Sequence, residues 1–293
     1  MTIIEQSQRL NTGVLTTTNH CRAVAGLKYV YPVLSRRSDG LSIGVNFNTN
    51  NACNWRCIYC QVPNLTVGAA PEMDFELLEK ELRFFLDYVL KGNFYDDFQV
   101  DQDNRVIKDI AISGNGEPTS LNEFCKAVTL IGDVAKELGV FPDSRFVLIT
   151  NGSLVHKQAV QKGLKKLNEY SGEVWFKFDS ATDRGRQLIN HAGQSCELSL
   201  ANLAISAELC LTKLQICLVD YDGAGFPDSE RAALLEALKK INAGVSLRDV
   251  FLYTLARPSL QPEAGNLECL SADLINHFAE EVRQLGFIVT VSI

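Results

Sequence analysis

Short apolar runs of strand length alternate with longer amphipathic segments along most of the chain, and this alternation limits the folds open to it. The first run, LSIGVNF (41–47), is followed by DFELLEKELRFFLDYVLKG, whose Phe75, Leu78, Leu82, Phe85 and Val89 share one helical face. IKDIAIS, RFVLIT, EVWFKF, KLQICLV and DVFLYTL repeat the strand pattern. A helical segment follows each. SLNEFCKAVTLIGDVAKELG carries Ser120 and Glu123 at capping-box spacing and Gly139 as a stop. Others lie near 154–170 and 196–210, then at SERAALLEALKKINAG and SADLINHFAEEVRQLG, and FIVTVSI offers one more strand. Six strand–helix units in alternation predict an α/β fold with a parallel sheet under helical cover. The pattern leaves open whether the sheet is doubly wound or closes into a full or partial barrel. In each case the C-terminal ends of the strands carry the site.

The segments just after the strands are therefore informative. The first strand leads into NNACNWRCIYCQVPN (50–64), the second into GNGEPT (114–119) and the third into NGS (151–153). The fourth ends in DSAT (179–182) and the sixth in ARPS (256–259). Polar and glycine-rich residues thus gather on one rim. The stretch from Lys91 to Asp109 reads as a polar, solvated loop. KGLKK (162–166) reads as the outer face of a helix.

Composition narrows the setting. The net charge of -7 disfavours a broad nucleic-acid footprint. The N-terminus lacks the charged start and apolar run of a secretory signal, and no apolar stretch reaches the roughly 18 residues of a membrane span. A cytoplasmic location is expected, where the chain's 9 cysteines serve as thiols or metal ligands.

Cys53, Cys57 and Cys60 form a C-x3-C-x2-C cluster. Buried structural thiols fit poorly beside Asn54 and Arg56. A structural zinc ion takes four ligands, and neither a second cysteine pair nor a close histidine supplies the fourth. Thiolates also hold iron–sulfur clusters, commonly with four cysteines. Three would leave one iron open to a small molecule. The other cysteines (Cys21, Cys125, Cys196, Cys210, Cys217 and Cys269) are scattered and read as buried thiols.

With Tyr59 before the last cysteine, the cluster resembles the C-x3-C-x-aromatic-C signature of the radical S-adenosylmethionine (radical SAM) superfamily. GNGEPT resembles that superfamily's glycine–glutamate motif. YPVLSRRSDGLSIGVNFNTNNACNWRCIYCQ, SGNGEPT, ITNGSL, VWFKFDSAT and LYTLARPS resemble, in order, blocks of its wyosine-synthetase-like group. The resemblance covers residues 31–262. It implies a partial (β/α)6 TIM-like barrel of radical SAM type over 41–262, with a lead-in at 1–40 and a C-terminal helix and possible strand at 263–293. It implies a [4Fe-4S] cluster on Cys53, Cys57 and Cys60. S-adenosyl-L-methionine (SAM) at the open iron would be cleaved reductively to a 5′-deoxyadenosyl radical that abstracts hydrogen from substrate.

Under the same resemblance Glu117 accepts from the SAM amino group, and Gly114 and Gly116 let backbone approach it. Asn115 departs from the commoner paired glycines. Tyr59, Asn151 and Asp179 become cofactor contacts. Lys177 and Arg257 are candidates for anionic groups of SAM or substrate, and Arg36 and Arg37 for a substrate contact. A low-potential donor, flavodoxin or ferredoxin, is implied, with Arg56 as a basic residue for it to meet. The substrate is an unidentified small molecule, peptide or nucleoside. Alternatives are wyosine-type tRNA modification, a glycyl-radical activase, and a non-catalytic iron–sulfur sensor, which would need the cysteines but not the polar rim.

Overall fold

The computed structural model describes residues 15–16, 26–35 and 40–293. Arg36, Arg37 and Cys21 lie outside the described residues. In chain order the strands are β1 (Val30–Ser35), β2 (Gly40–Val45), β3 (Ala52–Cys53), β4 (Thr66–Val67), β5 (Ile107–Ile112) and β6 (Arg145–Thr150). They continue with β7 (Glu173–Lys177), β8 (Leu211–Cys217), β9 (Val219–Tyr221), β10 (Asp249–Tyr253), β11 (Leu267–Cys269) and β12 (Ile288–Ser292). Eight of them form one sheet in the order β1-β2-β5-β6-β7-β8-β10-β12. Every pairing in it is parallel except β1 with β2. Tyr31 of β1 and Ser292 of β12, from the two edges, line the same cavity as Trp175 of central β7. The sheet is therefore curled into a half-barrel, the outcome that the resemblance implied among those the alternation left open.

The main helices are α1 (Phe75–Lys91), α2 (Phe124–Glu137), α3 (Gln158–Glu169), α4 (Asp183–Asn190), α5 (Cys196–Leu209), α6 (Asp228–Gly244) and α7 (Ala272–Gln284). Most begin with a cap or a fixed dihedral that the sequence supplies. Asp74, Thr182, Ser195 and Ser271 each accept a backbone N–H in the first turn of α1, α4, α5 and α7. The apolar faces of the helices and the outer face of the sheet form the main core, with Ile43, Leu82, Ile110, Leu148, Phe176, Leu214 and Phe278 among its buried members. Inside the half-barrel a smaller group, Ala111, Val147 and Trp175, packs with Ile149 and Phe251.

Four local features differ from the sequence reading. β1 precedes the first expected strand and pairs with it antiparallel. Ser120 does not cap α2, because its hydroxyl donates to the Glu117 carbonyl at 2.6 Å and accepts from the Ala70 N–H at 2.9 Å. The stretch after α1 is not wholly solvated: Phe94 and Phe98 are buried and stack at 4.7 Å. Finally, α4 stands between β7 and α5, where a short, mostly polar sequence offers only Leu188 and Ile189 as apolar residues.

Sequence on both sides of 41–262 joins the sheet, β1 on one edge and β12 on the other. Phe278 of α7 is buried and meets Phe226 edge-on at 5.1 Å. Phe278→Ala is expected to cost about 3–5 kcal/mol. In urea unfolding the loss should appear as one lowered midpoint, shared by circular dichroism and by the fluorescence of Trp55 and Trp175. Two separated transitions would mean that the C-terminal unit folds independently.

Candidate active site

One cavity of about 400 Å³ opens at the C-terminal ends of the strands. Cys53, Cys57, Cys60 and Tyr59 line it, as do Gly114, Asn115, Gly116, Glu117, Asn151, Lys177 and Arg257. The rim residues singled out in the sequence thus meet in one place, except Asp179, which stands behind the wall. Cys217 at the end of β8 and Tyr253 at the end of β10 also line it, and sequence reasoning did not single them out.

The cysteines sit on a loop with little secondary structure, so its backbone groups need outside partners. The C-terminus of α4 supplies two: Arg56 N–H donates to the Asn190 carbonyl at 3.2 Å and Ile58 N–H to the Ile189 carbonyl at 2.9 Å. A helix end has carbonyls without intrahelical donors, which suits it to this role. The segment after β10 supplies more. Ser259 Oγ donates to the Ile58 carbonyl at 2.6 Å, Leu260 N–H to the Cys60 carbonyl at 2.9 Å, and Gln261 Nε2 to the Val62 carbonyl at 3.1 Å. Arg56 itself forms two 2.8 Å bonds to Glu263 and lies against His191. Its charge is compensated by Glu263 rather than held free for a partner.

The glycine–glutamate turn packs on the start of this loop. A Cβ on Gly116 would lie 2.0 Å from the Ala52 carbonyl oxygen, and one on Gly114 would lie 2.2 Å from Asn46 Oδ1. The glycines permit this close approach of protein to protein. Asn115 is tied by its N–H to Asn46 Oδ1 at 3.0 Å and by Nδ2 to Asn51 Oδ1 at 2.6 Å. Its own Oδ1 is buried with no partner among the described residues.

Glu117 is buried and accepts four hydrogen bonds. Thr119 N–H (3.1 Å), Thr119 Oγ1 (2.6 Å) and Thr150 Oγ1 (2.6 Å) reach Oε1, and Asn151 N–H reaches Oε2 at 2.7 Å. Burial raises its pKa, and these donors oppose the rise. The Asn151 side chain is committed too, donating to Asn54 Oδ1 at 2.9 Å and accepting from the Ser153 hydroxyl at 2.7 Å.

Asp179 joins several elements. Oδ2 accepts from the Tyr59 hydroxyl and from Asn190 Nδ2 (2.7 Å), and Oδ1 accepts from Cys217 N–H (2.9 Å). Lys177 donates to the hydroxyls of Tyr59 at 3.0 Å and Tyr253 at 2.9 Å. Burial opposes its charge, yet Tyr253, Asp179 and neighbouring thiols outweigh burial and raise its pKa. Burial also pushes the thiol of Cys53 up to about 12 and that of Cys57 up to about 11. Thiolates there call for a bound cation.

The donor set fits an iron–sulfur cluster. Three cysteines line the one cavity, and the sulfurs of Cys53 and Cys57 each meet an N–H. Among the described residues, no three His, Cys, Asp or Glu side chains are grouped to hold a single metal ion. No helix among them is long and apolar enough to cross a membrane. Of the remaining cysteines, Cys210 is buried and Cys269 is exposed.

No family model matches the chain. A 152-residue stretch is 27% identical to a protein named GTPase Obg from Brachyspira hyodysenteriae, covering 52% of this chain and 19% of that protein. The chain thus spans about a fifth of that relative, and it contains no G-x4-G-K-[ST] phosphate loop. Among solved structures, a radical SAM methyltransferase from Sphaerobacter thermophilus superposes with a TM-score of 0.59 at 14% identity, over 90% of this chain and 68% of that one. A variant of spore photoproduct lyase gives 0.55 at 12% identity, over 96% and 81%. The structure of anSMEcpe with bound AdoMet gives 0.51 at 15% identity, over 85% and 62%.

Glu117→Ala would strand two backbone N–H groups and two hydroxyls. It is expected to cost about 3 kcal/mol in chemical denaturation of the metal-free chain, whereas an unchanged midpoint would mean that the hydrogen bonds of Glu117 do not contribute to stability. With the half-barrel, the rim site and these superpositions in hand, the chain has the fold of the radical SAM enzymes.

Proposed function

We propose that this chain is a radical SAM enzyme. The observation that carries the reading is the convergence of Cys53, Cys57 and Cys60 with Glu117 and Asn151 on one cavity at the C-terminal end of a half-barrel. Cys53, Cys57 and Cys60 are its cluster ligands. A reduced [4Fe-4S] cluster held there would supply the one electron that cleaves the C5′–S bond of SAM into methionine and a 5′-deoxyadenosyl radical.

The chain's own residues bind and orient. Glu117 Oε2, which takes one protein N–H, keeps a lone pair for the SAM ammonium, and the charge on each partner strengthens that bond. The unpartnered Oδ1 of Asn115 gives a second acceptor on the same turn. Tyr59 forms part of the wall, and Asp179 and Lys177 fix its hydroxyl from two sides. Asp179 therefore acts through Tyr59 and not by touching the cofactor. Trp55, Val62 and Leu255 line the cavity and exclude water from it.

The substrate would enter the lumen beneath, between Tyr31, Trp175, Lys177 and Tyr253. This extension of the cavity beyond the cysteines favours an enzyme over a sensor, which needs a cluster but no room for a substrate. A flavodoxin or ferredoxin would deliver the electron from the outer side of the cysteine loop.

The test is anaerobic. After reconstitution with iron and sulfide and reduction with dithionite, added SAM is expected to yield 5′-deoxyadenosine, with loss of at least a hundredfold in Cys53→Ala, Cys57→Ala and Cys60→Ala, a size set by roughly 2.7 kcal/mol or more of lost stabilisation. A reconstituted cluster that leaves SAM intact would overturn the reading in favour of a sensor.

A further inference from the structure

Directly behind the cysteine loop lies Asn190, the last residue of α4 and fully buried. Its two amide hydrogens point to different acceptors. One goes to Asp179 Oδ2 at 2.7 Å and the other to Cys57 Sγ at 3.3 Å. Turning the amide over would set its oxygen against a carboxylate oxygen and a sulfur, both electron-rich, so the surroundings select this orientation. Asn190 Oδ1 is buried and has no hydrogen-bond partner among the described residues. A buried carbonyl left unpaired is a cost. The side chain is therefore held in place by its two N–H bonds.

Its backbone fixes the same relation. The Asn190 carbonyl accepts from Arg56 N–H, so main chain and side chain together tie α4 to the residues around Cys57. His191, the next residue, is in the left-handed region at φ 48°, which ends the helix there. The Cys53 sulfur, by contrast, meets a backbone N–H, that of Trp55 at 3.5 Å.

An N–H dipole aimed at a ligating sulfur stabilises added negative charge on it. When a cluster takes up an electron its sulfurs become more electron-rich, so such a bond favours the reduced form. We propose that Asn190 is a positioning residue whose N–H bond to Cys57 raises the reduction potential of the cluster, and that Asp179 locks the amide in that orientation. The proposal rests on the radical SAM reading above.

Asn190→Leu removes both donors at nearly constant volume, and Asn190→Ala removes them without adding apolar bulk. The full chain and both variants are reconstituted anaerobically, iron and sulfide are counted, and the cluster is titrated with a redox dye series in the absence of SAM. The expected result is wild-type iron content with a potential shifted negative in both variants. An unchanged potential at full cluster occupancy overturns the proposal while leaving the cluster reading intact. Loss of the cluster from both variants, with the chain still folded by circular dichroism, also overturns it, because Asn190 would then build the loop rather than tune it. A wild-type chain that assembles no cluster on Cys53, Cys57 and Cys60 removes the reading and the proposal together.

Discussion

The cysteine loop is held by hydrogen bonds that come from elsewhere in the chain. Arg56 and Ile58 close on the last carbonyls of α4, while Ser259, Leu260 and Gln261 close on carbonyls from Ile58 to Val62. A loop crossing the mouth of a half-barrel has no ladder beyond the two-residue pairing of β3 with β4, and its polar backbone would be costly if left unpaired. Pinning from two sides turns it into a fixed platform for three thiols. The Arg56–Glu263 pair adds a side-chain clasp between the same segments. It is partly exposed, so its worth lies in geometry more than in energy.

Two buried carboxylates then organise the site in different ways. Glu117 joins the ends of β5 and β6 through Thr150 and the Asn151 N–H and still faces the cavity. Asp179 stands behind the cavity wall, joining the Tyr59 hydroxyl, Asn190 and the Cys217 N–H. Both are satisfied by donors, as buried charge requires. From Lys177 a continuous chain of hydrogen bonds runs through Tyr59, Asp179 and Asn190 to the Cys57 sulfur, so the cavity and the cysteine loop share one polar network. Removing a member of such a network strands its neighbours.

Much of this was legible in the sequence because buried parallel strands read as nearly unbroken apolar runs, as in RFVLIT and KLQICLV. Turn chemistry and thiol spacing mark the rim, and Cys53, Cys57, Cys60, Gly116, Glu117 and Asn151 do meet at one cavity. The features that stayed hidden depend on contacts distant in sequence. In DRGRQLIN no apolar stripe announces a helix; only Thr182, which accepts from Gly185 N–H, marks its start. Asn190 is an ordinary residue until the fold brings it to Cys57, 133 positions away. Cys217 and Tyr253 look like interior strand residues because alternation alone does not tell the lumen from the core. Ser120 and Glu123 have capping-box spacing, but Ser120 already has partners in the Glu117 carbonyl and Ala70.

The central claim is that three thiols hold a cluster with one coordination site left open for SAM. Electron paramagnetic resonance of the reconstituted, dithionite-reduced chain, recorded before and after SAM is added, tests it most directly. The expected result is a reduced-cluster signal whose g values shift when SAM binds. A cluster signal identical with and without saturating SAM would contradict the claim.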